Sequence, residues 1–358
     1  ASFNPNEFFA IPKDVKEAFD KTNTGSLQSK AWNKLIRKDL PLSEQNETLN
    51  ALLNPDYSKV QYPDFSNTAQ IATRDSNHQI LNAIAKAVPS FIGGSADLSP
   101  SNKTELIGLG DFPKGRNIHF GIKEHSMAAI VNAMNLYGLY KVFSATFFIF
   151  SDYLKPAARV AALANIPSHF VWTHDSIGVG EDGATHQPIE QLSQFRALPN
   201  FYTFRPADAT ENVKCWQKAL TMSAPTAFVC SRQKLKTLKP TKVHGDVSNG
   251  GYLLTKRDNA TVTLLASGSE VMLALQTACM LEDMNINCNI VSVPCFDLLC
   301  EQDKEYIDTI INPSHKVIAI EMATAMEYYK FADYVIGMNS FGQSGLADEL
   351  FEKFGFTK

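Results

Sequence analysis

The sequence predicts an α/β protein with two domains, each a mostly parallel sheet flanked by helices. From about residue 68 onward, short apolar runs alternate with amphipathic helical patterns, as expected for parallel strands joined by crossover helices. Several apolar runs end in loops rich in Gly, Ser and Asp. The length of 358 residues favours two or three domains, and 44% apolar with 20% charged residues is typical of a globular protein.

Three segments differ in their patterns. Residues 1–67 contain two helical patterns, near 13–21 and 27–37, and no run that predicts a buried strand. We interpret this segment as a linker or extension that lies on another part of the protein. Residues 68–243 and 244–358 each alternate strand and helix patterns, and we interpret them as the two domains.

The first domain begins with a helical pattern at 79–88. Its apolar residues, among them Ile80 and Ile84, share one face, and Pro89 ends the pattern. Apolar residues spaced by three and four positions predict another helix through 127–134. Strands are predicted where short apolar runs separate such patterns. The predicted strands are 90–92, 117–121, 140–145, 168–173, 201–204 and 227–231, and the remaining predicted helices are 150–164 and 211–221.

The second domain follows a turn-rich stretch at 244–251. A strand at 262–266 leads into a helix at 271–281, and Ser269 is placed to cap that helix with its hydroxyl. The other predicted strands of this domain are 289–293, 316–321 and 333–337.

Charge and cysteine usage exclude several classes of protein. The net charge of −4 gives no general attraction to nucleic acid or to an anionic membrane. We find no apolar run long enough to cross a bilayer and no signal-peptide pattern. The six cysteines form neither a CxxC pair nor zinc-type spacing, which predicts reduced thiols and a cytoplasmic protein.

The most unusual loop is THDSIGVGEDGATHQP, residues 173–188, which directly follows an apolar run. In open α/β sheets ligands bind at the carboxyl ends of strands, so this loop is a candidate site, although a solvated connector has the same composition. The loop GGSADLSPSN, residues 93–102, suits close approach of a phosphate, but it is also favourable turn chemistry.

Other candidate residues are ambiguous when each is taken alone. Glu124 begins a helix, where the helix dipole favours a carboxylate in any protein. Arg74 and Arg232 each suit a phosphate or a solvated surface. Phe147, Phe150 and Tyr153 are spaced by three, which predicts one helical face that packs in the core or stacks on a flat ligand. Pattern alone therefore predicts an α/β protein with a polar cleft suited to phosphate.

Taken together and in order, the motifs resemble transketolase. The resemblance covers nearly the whole chain and corresponds to the pyrimidine-binding and C-terminal domains of that family. Lys123, Ala184 and Lys234 depart from the usual family residues, but none of these changes removes a chemical group that the reaction needs. The matching motifs are Thr73-Arg74, GGSADLSPSNKT at 93–104, HFGIKEHSM at 119–127, the aromatic run at 147–153, THDSIGVGEDGATHQPIE at 173–190, RPAD at 205–208 and SRQ at 231–233.

The resemblance implies a thiamine diphosphate enzyme that moves a two-carbon ketol unit from a ketose phosphate to an aldose phosphate. Glu124 would hydrogen-bond a ring nitrogen of the cofactor's aminopyrimidine, inside an aromatic pocket. His174 and Glu124 would be the catalytic residues. The other cofactor-binding residues implied are Phe147, Phe150, Tyr153 and Asp97, and the substrate-binding residues implied are Arg74, Ser101, His174, Asp182, His186 and Arg232.

One part of the family pattern is missing from these 358 residues. The diphosphate and its metal ion, Mg²⁺ or Ca²⁺, require a Gly-Asp-Gly motif followed by an asparagine, and we do not find this pattern. We therefore expect no metal ligands in this chain, and we expect it to need an N-terminal transketolase domain or subunit for activity. The resemblance also implies a homodimer.

Two alternatives remain open at this point. The beta subunit of a 2-oxo acid dehydrogenase shares the two-domain layout, but it should lack the sugar-phosphate residues Arg74, His174 and Arg232. A non-catalytic module that keeps the fold is the other alternative.

Overall fold

The computed structural model describes residues 10–38, 44–238 and 244–357. Residues up to Asn54 form one compact unit and those from Pro55 form another. The first unit contains helices α1 (Lys13–Phe19), α2 (Thr22–Lys38) and α3 (Glu44–Leu53). The first two correspond to the predicted helices. The prediction missed α3, because its sequence EQNETLNALL has only a weak apolar period.

The second unit begins with a six-stranded sheet in which every neighbouring pair is parallel. The strands run in the order β3-β2-β4-β5-β7-β6, and each corresponds to a predicted strand. The elements of this part are β1 (Gln70–Ala72), α4 (Thr73–Ala87), β2 (Phe91–Ser95), α5 (Ser99–Asn102), β3 (Asn117–His119), α6 (Glu124–Tyr137), β4 (Lys141–Phe147), α7 (Ser151–Leu163), β5 (His169–Thr173), α8 (Gln191–Arg196), β6 (Tyr202–Phe204), α9 (Ala209–Ala219), β7 (Thr226–Cys230) and β8 (Lys234–Lys236).

A smaller, five-stranded sheet follows, with four parallel strands and one antiparallel edge strand, β9. Its strand order is β13-β12-β10-β11-β9. The two sheets confirm the predicted fold class. The elements here are β9 (Tyr252–Thr255), β10 (Val262–Ala266), α10 (Glu270–Asp283), β11 (Cys288–Ser292), α11 (Phe296–Cys300), α12 (Lys304–Ile310), β12 (Lys316–Ile320), β13 (Tyr334–Ile336) and α13 (Ala347–Lys353).

The structure adds an antiparallel ribbon, β1 with β8, that the sequence did not predict. Each strand has three residues and pairs with a segment far away in sequence, so neither has a local signal. One local prediction was wrong. Ser269 is at the N-cap of α10, but its hydroxyl does not cap the helix because it bonds the side chain of Glu270 instead.

Helices cover both faces of the larger sheet. Val171 packs into the cluster under α4 and α9, and Trp172 packs into the cluster under α6 and α7, because successive strand residues point to opposite faces. In the first cluster the rings of Trp216 and Phe228 stack with centroids 3.9 Å apart, and the Trp216 indole donates to Asn77 at 2.7 Å. None of the helices in the described ranges is long and apolar enough to cross a membrane.

The two sheets are joined through the segment that follows β6. The Arg205 amide donates to the Pro294 carbonyl oxygen at 2.7 Å, and the Gly268 amide donates to the Arg205 carbonyl oxygen at 3.0 Å. Phe204 pairs with Cys295 in an antiparallel bridge. The two domains therefore share backbone hydrogen bonds as well as side-chain contacts. The domain boundary predicted after residue 243 falls within 239–243, which lie outside the described residues.

Glu211 is a buried carboxyl at this junction. The hydroxyls of Ser292 and Tyr252, both from the second domain, donate to its side chain at 2.6 and 2.9 Å, and the Ala207 amide also donates to it. Burial raises the pKa of Glu211 to about 7 despite these donors. The folded chain therefore keeps a proton on Glu211 at pH values where the unfolded chain has already released it.

Glu211→Gln is expected to change the pH dependence of stability. The pKa of Glu211 is near 4.5 in the unfolded chain and near 7 in the folded chain. As pH rises between these two values, the free energy of unfolding of the wild type falls by about 3 kcal/mol in total. Glutamine avoids this loss because it stays neutral, and the two hydroxyls can rotate to accept from its amide. Denaturant unfolding from about pH 4.5 to 8 should show that the free energy of unfolding of the variant increases relative to that of the wild type as pH rises. Glu105→Gln, at an exposed position, serves as the control. An equal increase in stability in Glu105→Gln would contradict the raised pKa assigned to Glu211.

Candidate active site

The candidate site residues follow the carboxyl ends of five parallel strands of the larger sheet. Those ends lie along one edge, and β3 and β4 lie on opposite sides of β2, so the edge includes a topological switch point. Arg74, the second residue of α4, joins this edge where its amide meets the Ser231 carbonyl oxygen. The others are Asp97 and Ser101 after β2, Glu124 after β3, Phe147 at the end of β4, His174, Asp182 and His186 after β5, and Arg232 after β7.

His174 is buried and held on both sides of its ring. Its Nδ1 lies 2.7 Å from the Thr173 hydroxyl, which donates its proton to the Asn102 side-chain oxygen at 2.8 Å. The hydroxyl must therefore accept a hydrogen bond from Nδ1, which carries the ring proton. The Phe147 ring covers the imidazole, with centroids 3.7 Å apart. This arrangement makes Nε2 of His174 the acceptor nitrogen of the ring.

Arg74 lies on the Nε2 side of His174. Its Nη1 is 3.5 Å from Nε2 and donates to the Ser101 carbonyl oxygen at 3.0 Å. Its Nε is buried, and no described residue accepts a hydrogen bond from it. The guanidinium is thus held by Ser101 while its buried Nε–H has no acceptor among the described residues. The predicted grouping of Arg74, Ser101 and His174 is present in the fold.

Positive charge collects around His174. Burial, followed by the charges of Arg74 and Arg232, lowers the pKa of His174 to about 3, and His186 contributes in the same direction. Below pH 6.5 the His174 ring is protonated in the unfolded chain but stays neutral in the folded chain. The free energy of unfolding therefore decreases as pH falls from 6.5 toward 3. At neutral pH the imidazole is uncharged and the cationic groups around it are the arginines.

The His174 imidazole is therefore expected to show no titration between about pH 5 and 8. Two-dimensional NMR of histidine-labelled chain tests this, with the His174 signal assigned by its loss in His174→Gln. In Arg74→Met the signal should begin to titrate at a higher pH, because one nearby positive charge has been removed. A wild-type inflection near pH 6.5 would contradict the proposed environment.

A row of aromatic rings borders His174. Phe147 and Phe150 stack with centroids 5.8 Å apart and planes 13° apart, and Tyr153 continues the row at 6.2 Å from Phe150. His186 meets Phe150 edge-on at 5.4 Å. The prediction of one helical face was wrong, because Phe147 ends β4 and residues 148–150 form a 3-10 turn before α7 begins. The turn nevertheless brings the rings into one row.

Glu124 is the first residue of α6 and is 9% exposed. No hydrogen bond or ion pair to its carboxyl comes from any residue that the structure describes. Asp97 and Asp182 are exposed, and neither is hydrogen-bonded through its side chain to another candidate residue in the described part of the chain. The fold thus brings the arginines, His174 and the aromatic row together, and leaves these three carboxylates without a partner there.

Two sequence-level interpretations need correction. Gly93 and Gly94, suggested to admit a phosphate, lie inside β2, where a Cβ on Gly94 would be 1.9 Å from the Ile118 carbonyl oxygen. These glycines allow close strand pairing. The long loop after β5 also serves the second domain, since Gln187 donates to the Gln343 carbonyl oxygen at 2.9 Å. Its length therefore reflects domain packing as well as a site.

The sequence analysis did not single out Thr173 or Asn102 as site residues. Both lie inside motifs that it did quote, but hydroxyl and amide side chains are common in turns and carry no local signal of a contact 71 residues apart.

Two family models match the chain. The transketolase pyrimidine-binding domain matches residues 69–237, and the transketolase-like C-terminal domain matches residues 250–357. The transketolase of Halalkalibacterium halodurans is 41% identical over 370 residues, which cover 98% of this chain and 55% of that protein. The chain thus spans about half the length of the curated relatives it matches.

Solved structures agree with the sequence relatives. Transketolase from Campylobacter jejuni superimposes with a TM-score of 0.88 at 55% identity, covering 99% of this chain and 55% of that one. Transketolase from Pichia stipitis, solved with sedoheptulose-7-phosphate, gives 0.87 at 35% identity and the same coverage. These relatives favour the transketolase interpretation over a 2-oxo acid dehydrogenase subunit. The chain therefore belongs to the transketolase family and carries its pyrimidine-binding and C-terminal domains.

Proposed function

We propose that this chain supplies the pyrimidine-binding and sugar-phosphate side of a transketolase active site, for transfer of a two-carbon ketol unit between sugar phosphates. The observation that carries this proposal is the convergence of Arg74 and Arg232 on a neutral His174 beside an aromatic row. The Pichia stipitis relative, solved with a sugar phosphate, supports the same class of substrate.

The phosphate end of the substrate is assigned to the two arginines. Arg74 has a buried Nε without a partner among the described side chains, and an anionic oxygen would satisfy it. Arg232 is exposed next to it and adds a second positive charge. Ser101 holds Arg74 through its carbonyl oxygen. A phosphate monoester fits this arrangement because its oxygens accept several donors at once.

The sugar hydroxyls are assigned to the residues around His174. Since Nδ1 of His174 donates to Thr173, its Nε2 accepts and suits a hydroxyl donor. Asp182 is exposed on the loop after β5, and we propose that it accepts from a second hydroxyl. His186 is also assigned to the sugar hydroxyls, because its ring contacts the aromatic row that borders His174.

The residues present also fit the aminopyrimidine of thiamine diphosphate. A flat ring suits the row formed by Phe147, Phe150 and Tyr153, and the unpaired carboxyl of Glu124 suits a ring nitrogen. When bound, this cofactor supplies the nucleophilic carbon and electron sink for cleaving the donor's carbon–carbon bond. Glu124 would hold a proton at the ring nitrogen, and the aromatic side chains would exclude water. We place Asp97 at the edge of this pocket, toward a second copy of the chain.

The diphosphate and its metal ion, Mg²⁺ or Ca²⁺, are assigned to another polypeptide segment. Within 10–38, 44–238 and 244–357 no cluster of three or more His, Cys, Asp or Glu side chains is placed to bind a metal. The Gly-Asp-Gly pattern is also missing from the sequence. We therefore propose that these 358 residues alone do not catalyse ketol transfer.

A second copy of the chain is the other proposed partner. Helices α6 and α7 expose large apolar side chains, including Leu136, Tyr137 and Leu163, each more than 60% exposed. Such a surface favours a protein interface. All six cysteines are free thiols, which supports a reducing, cytoplasmic location.

Complementation tests the function directly. The 358-residue chain is mixed with a separately produced transketolase N-terminal domain, thiamine diphosphate, Mg²⁺ and a ketose phosphate–aldose phosphate pair. We expect ketol transfer in the mixture and none from either polypeptide alone. Turnover by the isolated chain, or decarboxylation of a 2-oxo acid in place of ketol transfer, would contradict the proposal.

A further inference from the structure

The smaller sheet has a crevice where α/β folds usually bind ligands. Strand β10 has β11 on one side and β12 on the other, so the carboxyl ends of β10 and β12 flank a topological switch point. Ser267 follows β10, Glu321 follows β12, and Glu270 begins α10 at this point. All three side chains are buried and polar, as in a ligand site.

The occupant of this crevice is the side chain of Arg205 from the other domain. Arg205 is 1% exposed. Its Nη1 contacts the carboxylates of Glu270 and Glu321 and donates to the Ser267 carbonyl oxygen at 3.1 Å. The second domain therefore binds an arginine side chain at the position where open α/β folds usually bind a small molecule.

The far edge of the same guanidinium reaches the candidate active site. Its Nε and Nη2 both donate to Oδ2 of Asp175, at 3.1 and 2.8 Å. Asp175 directly follows His174, whose φ of 66° is in the left-handed region. A non-glycine residue is strained there, and this conformation persists only where neighbouring groups hold it. Arg205 thus binds Asp175, the next residue on the C-terminal side of His174, while Thr173 binds the His174 ring.

We propose that Arg205 is a positioning residue for the sugar-phosphate site. Glu270 and Glu321 of the second domain fix the guanidinium, the guanidinium fixes Asp175, and Asp175 fixes the strained backbone of His174. The C-terminal domain thereby takes part in the site without touching substrate. This role rests on the proposed function only in assigning the sugar phosphate to the site that His174 shares with Arg74 and Arg232.

The chain contains a matched control for this role. Arg196 is as buried as Arg205 and belongs to the same cluster, since its Nη1 contacts Glu321 at 3.1 Å and its Nη2 contacts Ser267 at 3.0 Å. Arg196 makes no hydrogen bond to Asp175. Arg205→Lys and Arg196→Lys each keep the charge and lose the planar fork that contacts Glu321 and Ser267, but only Arg205→Lys also alters the contact with Asp175.

The first measurement is the NMR signal of the His174 ring in the full chain. We expect Arg205→Lys to shift this signal and Arg196→Lys to leave it near the wild-type position. The second measurement is the affinity for inorganic phosphate by calorimetry, which should weaken about tenfold in Arg205→Lys alone. Asp175→Asn removes the charge at the other end of the pair, and it should reproduce both effects if Arg205→Lys fails to fold.

The outcomes separate this inference from the proposed function. An unchanged His174 signal in both Arg205→Lys and Asp175→Asn, or an equal shift in Arg196→Lys, would overturn the positioning role. If wild-type chain binds no phosphate while the His174 signal still shifts selectively, the positioning role stands and the sugar-phosphate assignment falls. If phosphate binds with equal affinity to wild type, Arg205→Lys and Asp175→Asn, the site is formed without Arg205 and the inference is wrong.

Discussion

Glu124→Gln is expected to lower ketol transfer by about 10²–10⁴-fold in the complemented enzyme, the range typical of losing a positioned acid or base. Glutamine keeps the shape of the side chain and one acceptor, but it has no proton to exchange with a ring nitrogen. Glu124 is shielded and has no competing partner among the described residues, so no neighbouring group is placed to take over this exchange. The rate should be measured at saturating cofactor, with the cofactor's dissociation constant determined separately by equilibrium dialysis.

Glu349→Gln provides the matched control. Glu349 also lies in the first turn of a helix, α13, but it is exposed on the surface of the second domain. Any general effect of removing a carboxylate from a helix N-terminus should be the same in both variants. A loss below about tenfold in Glu124→Gln, or an equal loss in Glu349→Gln, would contradict the role given to Glu124.

Arg205→Met is expected to destabilise the second compact unit by about 3–5 kcal/mol, the usual cost of removing one partner from a buried ion pair. The substitution leaves the carboxylates of Asp175, Glu270 and Glu321 buried without their main counter-charge. Methionine fills much of the vacated volume, so the loss reports on charge more than on packing. Denaturant unfolding of wild type and variant at pH 7 measures the difference.

A second variant distinguishes charge from shape. Burial raises the pKa of Glu321 although Arg205 and Arg196 act in the opposite direction, and the negative charge of Glu270 raises it further. Adding Glu270→Gln to Arg205→Met removes one uncompensated charge, so the double variant should recover part of the lost stability. A double-mutant cycle gives the coupling energy of the two positions. A single-variant loss below about 1 kcal/mol, or no recovery in the double variant, would contradict the charge argument.

Local sequence signals predicted the strands and helices well where they were strongly periodic. The strand at Val262–Ala266 matches its prediction at both ends, and the other predicted strands of the two main sheets differ from the observed ones by a few residues. The ribbon of β1 and β8 and the strand β9 were missed, because three or four residues carry too little pattern to predict a strand.

The candidate residues were predicted through family motifs, since individual spacing left each of them ambiguous. The structure brings Arg74 within hydrogen-bonding range of both Ser101 and His174. It also shows why the aromatic spacing misled the helix prediction: a 3-10 turn after Phe147 keeps the rings in a row without a continuous helix.

Periodicity and ordered motifs in the sequence determined the fold class, the two domains and the family, because these depend on which residues neighbour one another along the chain. The folded chain decided the tautomer and charge of His174, the row of rings and the passage of Arg205 from one domain into the other. Each of these depends on groups that meet only after strands far apart in sequence have aligned their ends. The protonation state of a side chain depends on such contacts and on burial, and neither can be read from the order of residues along the chain.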